Sequence, residues 1–165
     1  MGGAARAQTP EQLIDAMVFV AKGEEDGMPV EKSAPIKKTF KNGRYEYVSG
    51  GFEGVLATYA TNSKPCVFEM GTTIFGDKEI EPEVFDLNKA TKFELERITN
   101  DSIGHFGQVV LEGGDSYCFN GKCTYYHSML VKNVDDKPRQ KQLEVLARYE
   151  KAIEFLKKKC PARPY

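Results

Sequence analysis

The most constraining feature of this chain is the hexapeptide Cys118-Phe119-Asn120-Gly121-Lys122-Cys123. Asn-Gly supplies the two positive φ angles of a type I′ turn, the strongest short-range hairpin signal. With Asn120-Gly121 as a two-residue loop, Phe119 and Lys122 close the turn as a hydrogen-bonded pair. Cys118 and Cys123 then oppose one another at the next, non-hydrogen-bonded position. Cα atoms at such positions lie ~4.5 Å apart, inside the ~4.4–6.8 Å that a disulfide spans. These six residues thus predict a hairpin, its register and a covalent clamp across it. A zinc site on the same pair would need two further ligands, and neither remaining cysteine has a close companion. Two free thiols facing each other in a reducing compartment are the other alternative.

The remaining cysteines are Cys66 and Cys160. Paired, they tie the strand Cys66-Val67-Phe68-Glu69-Met70 to the chain's last helix. The closed loop is long, so the chain-entropy stabilisation is on the order of 4–5 kcal/mol. Two buried free cysteines are the alternative. An even cysteine count with a plausible connectivity favours an oxidising compartment. The N-terminus points the same way. Ala5-Arg6-Ala7 followed by Gln8 has the small-x-small pattern of a signal-peptidase site, without the apolar segment that should precede it. Residues 1–8 are therefore expected to be a disordered leader or signal-peptide remnant, and the protein periplasmic or secreted. A cytoplasmic domain with reduced cysteines is the alternative. Residues 9–160 are expected to form one domain, with 161–165 as a tail.

A second Asn-Gly, Asn42-Gly43, joins Ile36–Lys41 to Arg44–Val48 and places Phe40 opposite Tyr45. Other segments rich in Val, Ile, Thr, Phe and Tyr, bounded by Gly, Pro, Asn or Asp, are 52–60, 65–71, 72–75, 91–99, 107–112, 115–119 and 122–134. Their short connections favour an antiparallel meander. Gly50-Gly51 and Gly113-Gly114 read as turns or bulges. Residues 77–90, with the acidic run Glu79-Ile80-Glu81-Pro82-Glu83, carry no assignable element. That run lacks the spacing and glycine of an EF-hand loop.

Helices flank the strands. Thr9-Pro10-Glu11-Gln12 is a helix start, and the apolar residues from Leu13 to Ala21 cover much of the circumference, so that helix is buried on more than one side. Gly23 ends it. Near the C-terminus Leu143, Leu146, Tyr149, Ile153, Leu156 and Cys160 recur at helical spacing and define one face. Asp135 or Asp136 can cap this helix, Pro138 falls in its first turn, and Pro161 stops it. The expected fold is α+β: an N-terminal helix, a twisted antiparallel sheet of about seven strands, and a long C-terminal helix packed on the sheet.

Function is less legible. The chain is 41% hydrophobic and 28% charged, a globular composition. Its net charge of −1 gives no excess that points to nucleic acid, and no apolar run approaches the ~20 residues of a membrane span. Residues 137–165 are nevertheless basic, with nine Lys and Arg against three Glu. Lys157, Lys158 and Lys159 suit a helix C-terminus, where cations meet the negative end of the dipole. No Walker loop, G-x-G-x-x-G or G-x-S-x-G occurs, and neither histidine belongs to a metal motif; no metal or cofactor is expected. His105 lies in a turn. His127 has the same strand parity as Cys123, Tyr125 and Met129, which marks it as a core or cavity histidine.

Tyr45, Tyr47, Tyr117, Phe119, Tyr125 and Tyr126 lie on or beside the hairpins, and with His127 they form the candidate partner surface. The first functional expectation is a non-catalytic exported domain that binds a protein or small ligand through its sheet, as an inhibitor or immunity protein would. The alternative is a small enzyme with a pocket between the sheet and the C-terminal helix, using His127 and a carboxylate such as Glu69 or Glu94 as acid and base. No motif is specific enough to name a family.

Overall fold

A computed structural model describes residues 10–29, 34–51, 54–74, 78–79 and 82–160. The leader, the Thr9 cap, the tail with Pro161, and Asp77, Ile80 and Glu81 of the acidic connection lie outside the described residues. Helix α1 (Pro10–Lys22) opens the domain. Among the described residues nine strands follow: β1 (Lys37–Lys41), β2 (Arg44–Gly51), β3 (Gly54–Lys64), β4 (Val67–Ile74), β5 (Lys78–Glu79), β6 (Glu83–Asp86), β7 (Lys92–Asn100), β8 (Gly104–Phe119) and β9 (Lys122–Leu130). A 3-10 turn (Leu87–Lys89) links β6 to β7, and helix α2 (Arg139–Lys159) closes the chain. Every strand pairing is antiparallel, as the short connections require. The class is α+β.

The sheet is organised around β8, which is 16 residues long. On one edge its N-terminal half pairs with β7, and its C-terminal half, Tyr117–Phe119, pairs with β6. The other edge carries β9 over both halves. The order continues from β6 through β4, β3 and β2 to β1. The two segments 107–112 and 115–119 are thus one strand, interrupted by a register shift between Glu112 and Tyr117. Gly113 explains the interruption: its φ is 141°, and a Cβ placed there would lie 2.1 Å from the Lys89 carbonyl oxygen. Only glycine lets the 3-10 turn cross β8 this closely. Likewise 65–71 and 72–75 are the single strand β4, and the strand expected over 122–134 ends at Leu130.

Both Asn-Gly turns adopt the positive φ values expected of them, and both hairpin registers follow. Phe40 opposes Tyr45 with ring centroids 4.9 Å apart. Cys118 opposes Cys123 and is bonded to it, with a Cα separation of 3.9 Å, closer than the usual pair spacing. Cys66 and Cys160 form the second disulfide, Cα atoms 5.7 Å apart. No described cysteine is free. Two disulfides are typical of periplasmic or extracellular proteins.

The two helices pack together on the sheet. Ile14, Met17, Val18, Phe19, Val20 and Ala21 of α1 are all buried, on more than one face. Phe19 packs on Tyr149 of α2 with centroids 4.7 Å apart. Asp15 anchors α1 to the sheet by accepting from the Tyr47 hydroxyl and the Lys38 ammonium. The buried stripe of α2 is Gln142, Leu146, Tyr149, Ile153 and Leu156, continued by Cys160. Gln142 occupies the place expected of Leu143, because its amide has partners. Its Oε1 accepts from His105 N at 2.8 Å and its Nε2 donates to the Val134 carbonyl at 3.1 Å. A buried amide satisfied in this way costs little. Neither Asp135 nor Asp136 caps α2; the N-cap residue is Pro138, with no side-chain cap bond. Lys157 and Lys158 are exposed and Lys159 is half-buried. At the surface, Arg148 pairs with Glu25 and Glu150 with Arg97.

The two disulfides close loops of very different length, 94 and 5 residues. In the chain-entropy account, replacing Cys66 and Cys160 by Ala costs about 4–5 kcal/mol, and replacing Cys118 and Cys123 about 2 kcal/mol. Urea unfolding of the two double variants measures the difference. Leu146→Ala, at a fully buried position, is expected to cost about 2–5 kcal/mol in the same assay, while Lys158→Ala stays within ~0.5 kcal/mol. Equal costs for those two would contradict the packing of α2.

Candidate functional site

Two places in the fold gather the residues singled out from the sequence. The first is a polar aromatic cluster where the end of α1 meets β6, β8 and β9. The second is the exposed ribbon made by β8 and β9 beyond it.

The cluster follows from strand geometry. Phe68, Phe85 and Tyr117 lie in one row across β4, β6 and β8. Phe68 and Phe85 are buried, so this row faces the core. Tyr117 stacks on His127 with ring centroids 3.5 Å apart and planes 6° from parallel. Phe85 meets His127 edge-on at 6.0 Å. The Tyr117 hydroxyl donates to Oε2 of Glu83, and Lys22, the last residue of α1, donates to Oε1 of the same carboxylate. Glu83 therefore joins the helix end to the sheet, and Tyr117 joins Glu83 to the imidazole.

The protonation states follow from these contacts. Burial alone would raise the Glu83 carboxyl; the Lys22 ammonium and the Tyr117 phenol outweigh it and hold the group below its ordinary value. Burial, reinforced by the negative charge it donates to, pushes the Tyr117 phenol far up. Burial lowers His127, and Lys22 adds to that, while Glu83 pulls it partly back. At neutral pH the cluster is Lys22⁺, Glu83⁻, neutral Tyr117 and neutral His127. Its charges and its phenol are spent on one another.

Glu83 is the carboxylate beside His127 that the sequence did not single out. Glu94 and Glu69 do not take that place. In the paired row Phe93–Leu111–His127, Glu94 is the next residue along β7 and points to the opposite face. Glu69 lies in the row Glu69–Val84–Cys118–Cys123, one step out of phase with Phe68 and Tyr117. A cavity of 220 Å³ does lie between β7 and the end of α2, lined by Phe93, Glu94, Lys157 and Cys160 among others; His127 is not part of its lining. The parity expected on β9 also changes. His127 shares the core face with Met129, but Cys123 lies with Cys118 on the opposite face, because the irregularity between Glu112 and Tyr117 shifts the phase.

The other sequence candidates divide cleanly. Tyr47 is fully buried, its hydroxyl on Asp15, which with burial holds its phenol far above the ordinary value. Tyr45 is half-buried against Phe40. Phe119, Tyr125 and Tyr126 are 42%, 60% and 49% exposed. All three lie around the hairpin that the Cys118–Cys123 bond clamps. Leu130, at 64%, continues the exposed apolar character along β9. Among the described residues no group of three His, Cys, Asp or Glu could hold a metal ion.

Acid should lower the stability of the protein in two pH ranges. His127 has a folded-state value below the ordinary 6.5, so its neutral form contributes stability above that pH and loses it as pH falls through the lowered value. Glu83 is likewise depressed below 4.5, so its contribution is lost only below that pH. Glu83→Gln is expected to cost about 1–3 kcal/mol at pH 7, the worth of charged hydrogen bonds, and the deficit should vanish as pH drops through the acidic range. The variant should also lower the His127 titration midpoint, since the carboxylate is what raises it. Denaturation at several pH values and imidazole NMR measure both; an unchanged His127 midpoint would contradict the electrostatic link.

No family model matches the chain, and no curated protein or solved structure shows significant similarity to it.

Proposed function

We propose that this chain is an exported, non-catalytic binding domain that recognises a protein partner through the β8–β9 ribbon. One observation carries the reading: Phe119, Tyr125 and Tyr126 stand exposed on a ribbon that is cross-linked at its tip. Tyrosine and phenylalanine bring large contact area with few rotors, which is why aromatic residues dominate binding hot spots. The clamp lowers the ordering cost of binding by fixing the ribbon beforehand. The disulfides support an oxidising destination, periplasmic or secreted. The cluster of Glu83, Tyr117 and His127 supports a structural role for those groups, because each hydrogen-bonding or stacking partner is another member of the fold.

The test is site-specific photocrosslinking in the cells that make the protein. A photoreactive phenylalanine analogue in place of Tyr126 is expected to give a discrete covalent adduct; the same analogue in place of Lys41, on the far edge of the sheet, gives none. Phe119→Ala and Tyr125→Ala should reduce the adduct while leaving unfolding within ~0.5 kcal/mol of the parent. Absence of any adduct at Tyr126, or equal adducts at both positions, would sink the proposal.

A further inference from the structure

Three long strands leave an edge unpaired among the described residues, β1, β7 and β9, and they are protected unequally. Strand β7 is Lys-Phe-Glu-Leu-Glu-Arg-Ile-Thr-Asn, and its four charged side chains guard it. Strand β1 is Lys-Lys-Thr-Phe-Lys, so three of its five residues are lysines. Lysines on an edge strand block the approach of another strand. Strand β9 is Lys-Cys-Thr-Tyr-Tyr-His-Ser-Met-Leu, with one lysine at the hairpin end and no proline. Among the described residues it pairs with β8 alone.

The hydrogen-bond phase of β9 identifies what that edge offers. The Val131 amide donates to the Gly107 carbonyl at 3.0 Å. With Gln108 opposite Leu130, the pairs that exchange bonds with β8 are therefore Gly107–Val131, Val109–Met129 and Leu111–His127. The alternate residues, Tyr126, Ser128 and Leu130, turn their amides and carbonyls away from β8, toward the free edge. The Thr124 hydroxyl donates to the Tyr126 carbonyl at 3.1 Å, which leaves that oxygen a second lone pair for an edge partner.

We propose that β9 pairs antiparallel with β9 of a second copy of this chain, with the two-fold axis at Ser128, so that two sheets become one. This rests on the reading of the ribbon as a recognition surface and names its partner. The register follows from the edge groups. Hydrogen-bonded pairs must join residues whose backbones face the edge. A two-fold axis at Ser128 sets Tyr126 of one copy against Leu130 of the other, twice, with the two Ser128 residues opposed between them. Tyr126 and Leu130 lie on the same face as Ser128 by strand alternation and are both exposed. An aromatic–aliphatic cross-strand pair is a favourable sheet contact. On the core-facing side His127 meets Met129. Lys122 and Lys132, the nearest cations, oppose residues 134 and 124 and so meet no like charge. Registers centred at Tyr126 or His127 set Tyr126 against itself or against Ser128 and leave Leu130 without an apolar partner. The strand matches itself in this register, which is the argument for a second copy as its partner.

Sedimentation equilibrium of the intact, oxidised chain over a range of concentrations tests the proposal, together with two variants. The parent should show a reversible monomer–dimer equilibrium. Ser128→Pro removes the edge amide at the axis and should abolish the dimer while circular dichroism stays that of the parent. Ser128→Cys should cross-link to a covalent dimer on mild oxidation, since hydrogen-bonded partners lie ~5.5 Å apart, within disulfide reach. A monomer at every concentration, or a dimer that survives Ser128→Pro and does not cross-link through Ser128→Cys, overturns the self-pairing. The photocrosslinks at Tyr126 separate the two claims. An adduct with the mass of two copies supports both, and an adduct of any other mass overturns the self-pairing and leaves the binding reading standing.

Discussion

The whole molecule depends on one long strand that is allowed to bend. β8 holds β7 and β6 on one edge and β9 on the other. It can do so only because Gly113 lets the Leu87–Lys89 turn cross it within touching distance of a carbonyl. With any other residue there, β6 and β7 could not both run alongside β8. The consequences reach the functional surfaces. The shift in phase at the bend places Tyr117 and His127 together on the core face, and it sends Cys118 and Cys123 to the other side.

Around that strand the domain distributes its polar groups according to burial. Deep positions hold polar side chains such as Gln142, whose amide is met by His105 and Val134; the Thr73 hydroxyl is the one buried side-chain polar atom left without a partner among the described residues. At the margin of the core, Glu83 is kept ionised by Lys22 and Tyr117. This ties α1 to the sheet at the same corner where the stacked Tyr117–His127 pair closes the aromatic core. Four of the exposed large hydrophobic residues, Phe119, Tyr125, Tyr126 and Leu130, lie on the β8–β9 ribbon, with Phe40, Ile98 and Ile103 elsewhere, and it is on the ribbon that recognition is proposed. A clamped ribbon on a well-packed interior is consistent with a domain whose work is contact.

Much of the architecture is legible in the sequence because it is locally encoded. Asn42-Gly43 and Asn120-Gly121 determine two hairpin registers, and the second determines a disulfide. The other bridge then follows by elimination. What escapes local reading is non-local. Gly113-Gly114 looks like a strand end, yet tertiary crossing of the 3-10 turn makes it a bend within one strand. Val84-Phe85 is too short an apolar run, between Glu83 and Asp86, to declare β6, so the carboxylate that meets His127 is hidden in an acidic stretch. Leu143 has the better hydrophobicity for the α2 stripe, but Gln142 is buried in its place because the turn at Gly104–His105 and the loop at Val134 need its amide. The same limit applies to the aromatic residues: alternation predicts that some face outward, and the bend decides which.

Residue-resolved hydrogen exchange of the dilute protein tests the central claim, that β8 is paired along both edges and β9 presents its outer edge. The account predicts strong protection along β8 and an alternating pattern on β9: slow amides at His127, Met129 and Val131, and fast amides at Tyr126, Ser128 and Leu130. In a sample dilute enough to be monomeric, uniform protection along β9 would show that its outer edge is already covered within one chain, and uniformly fast exchange would show that β9 is not held by β8. Either result would contradict the structure and the function proposed from it.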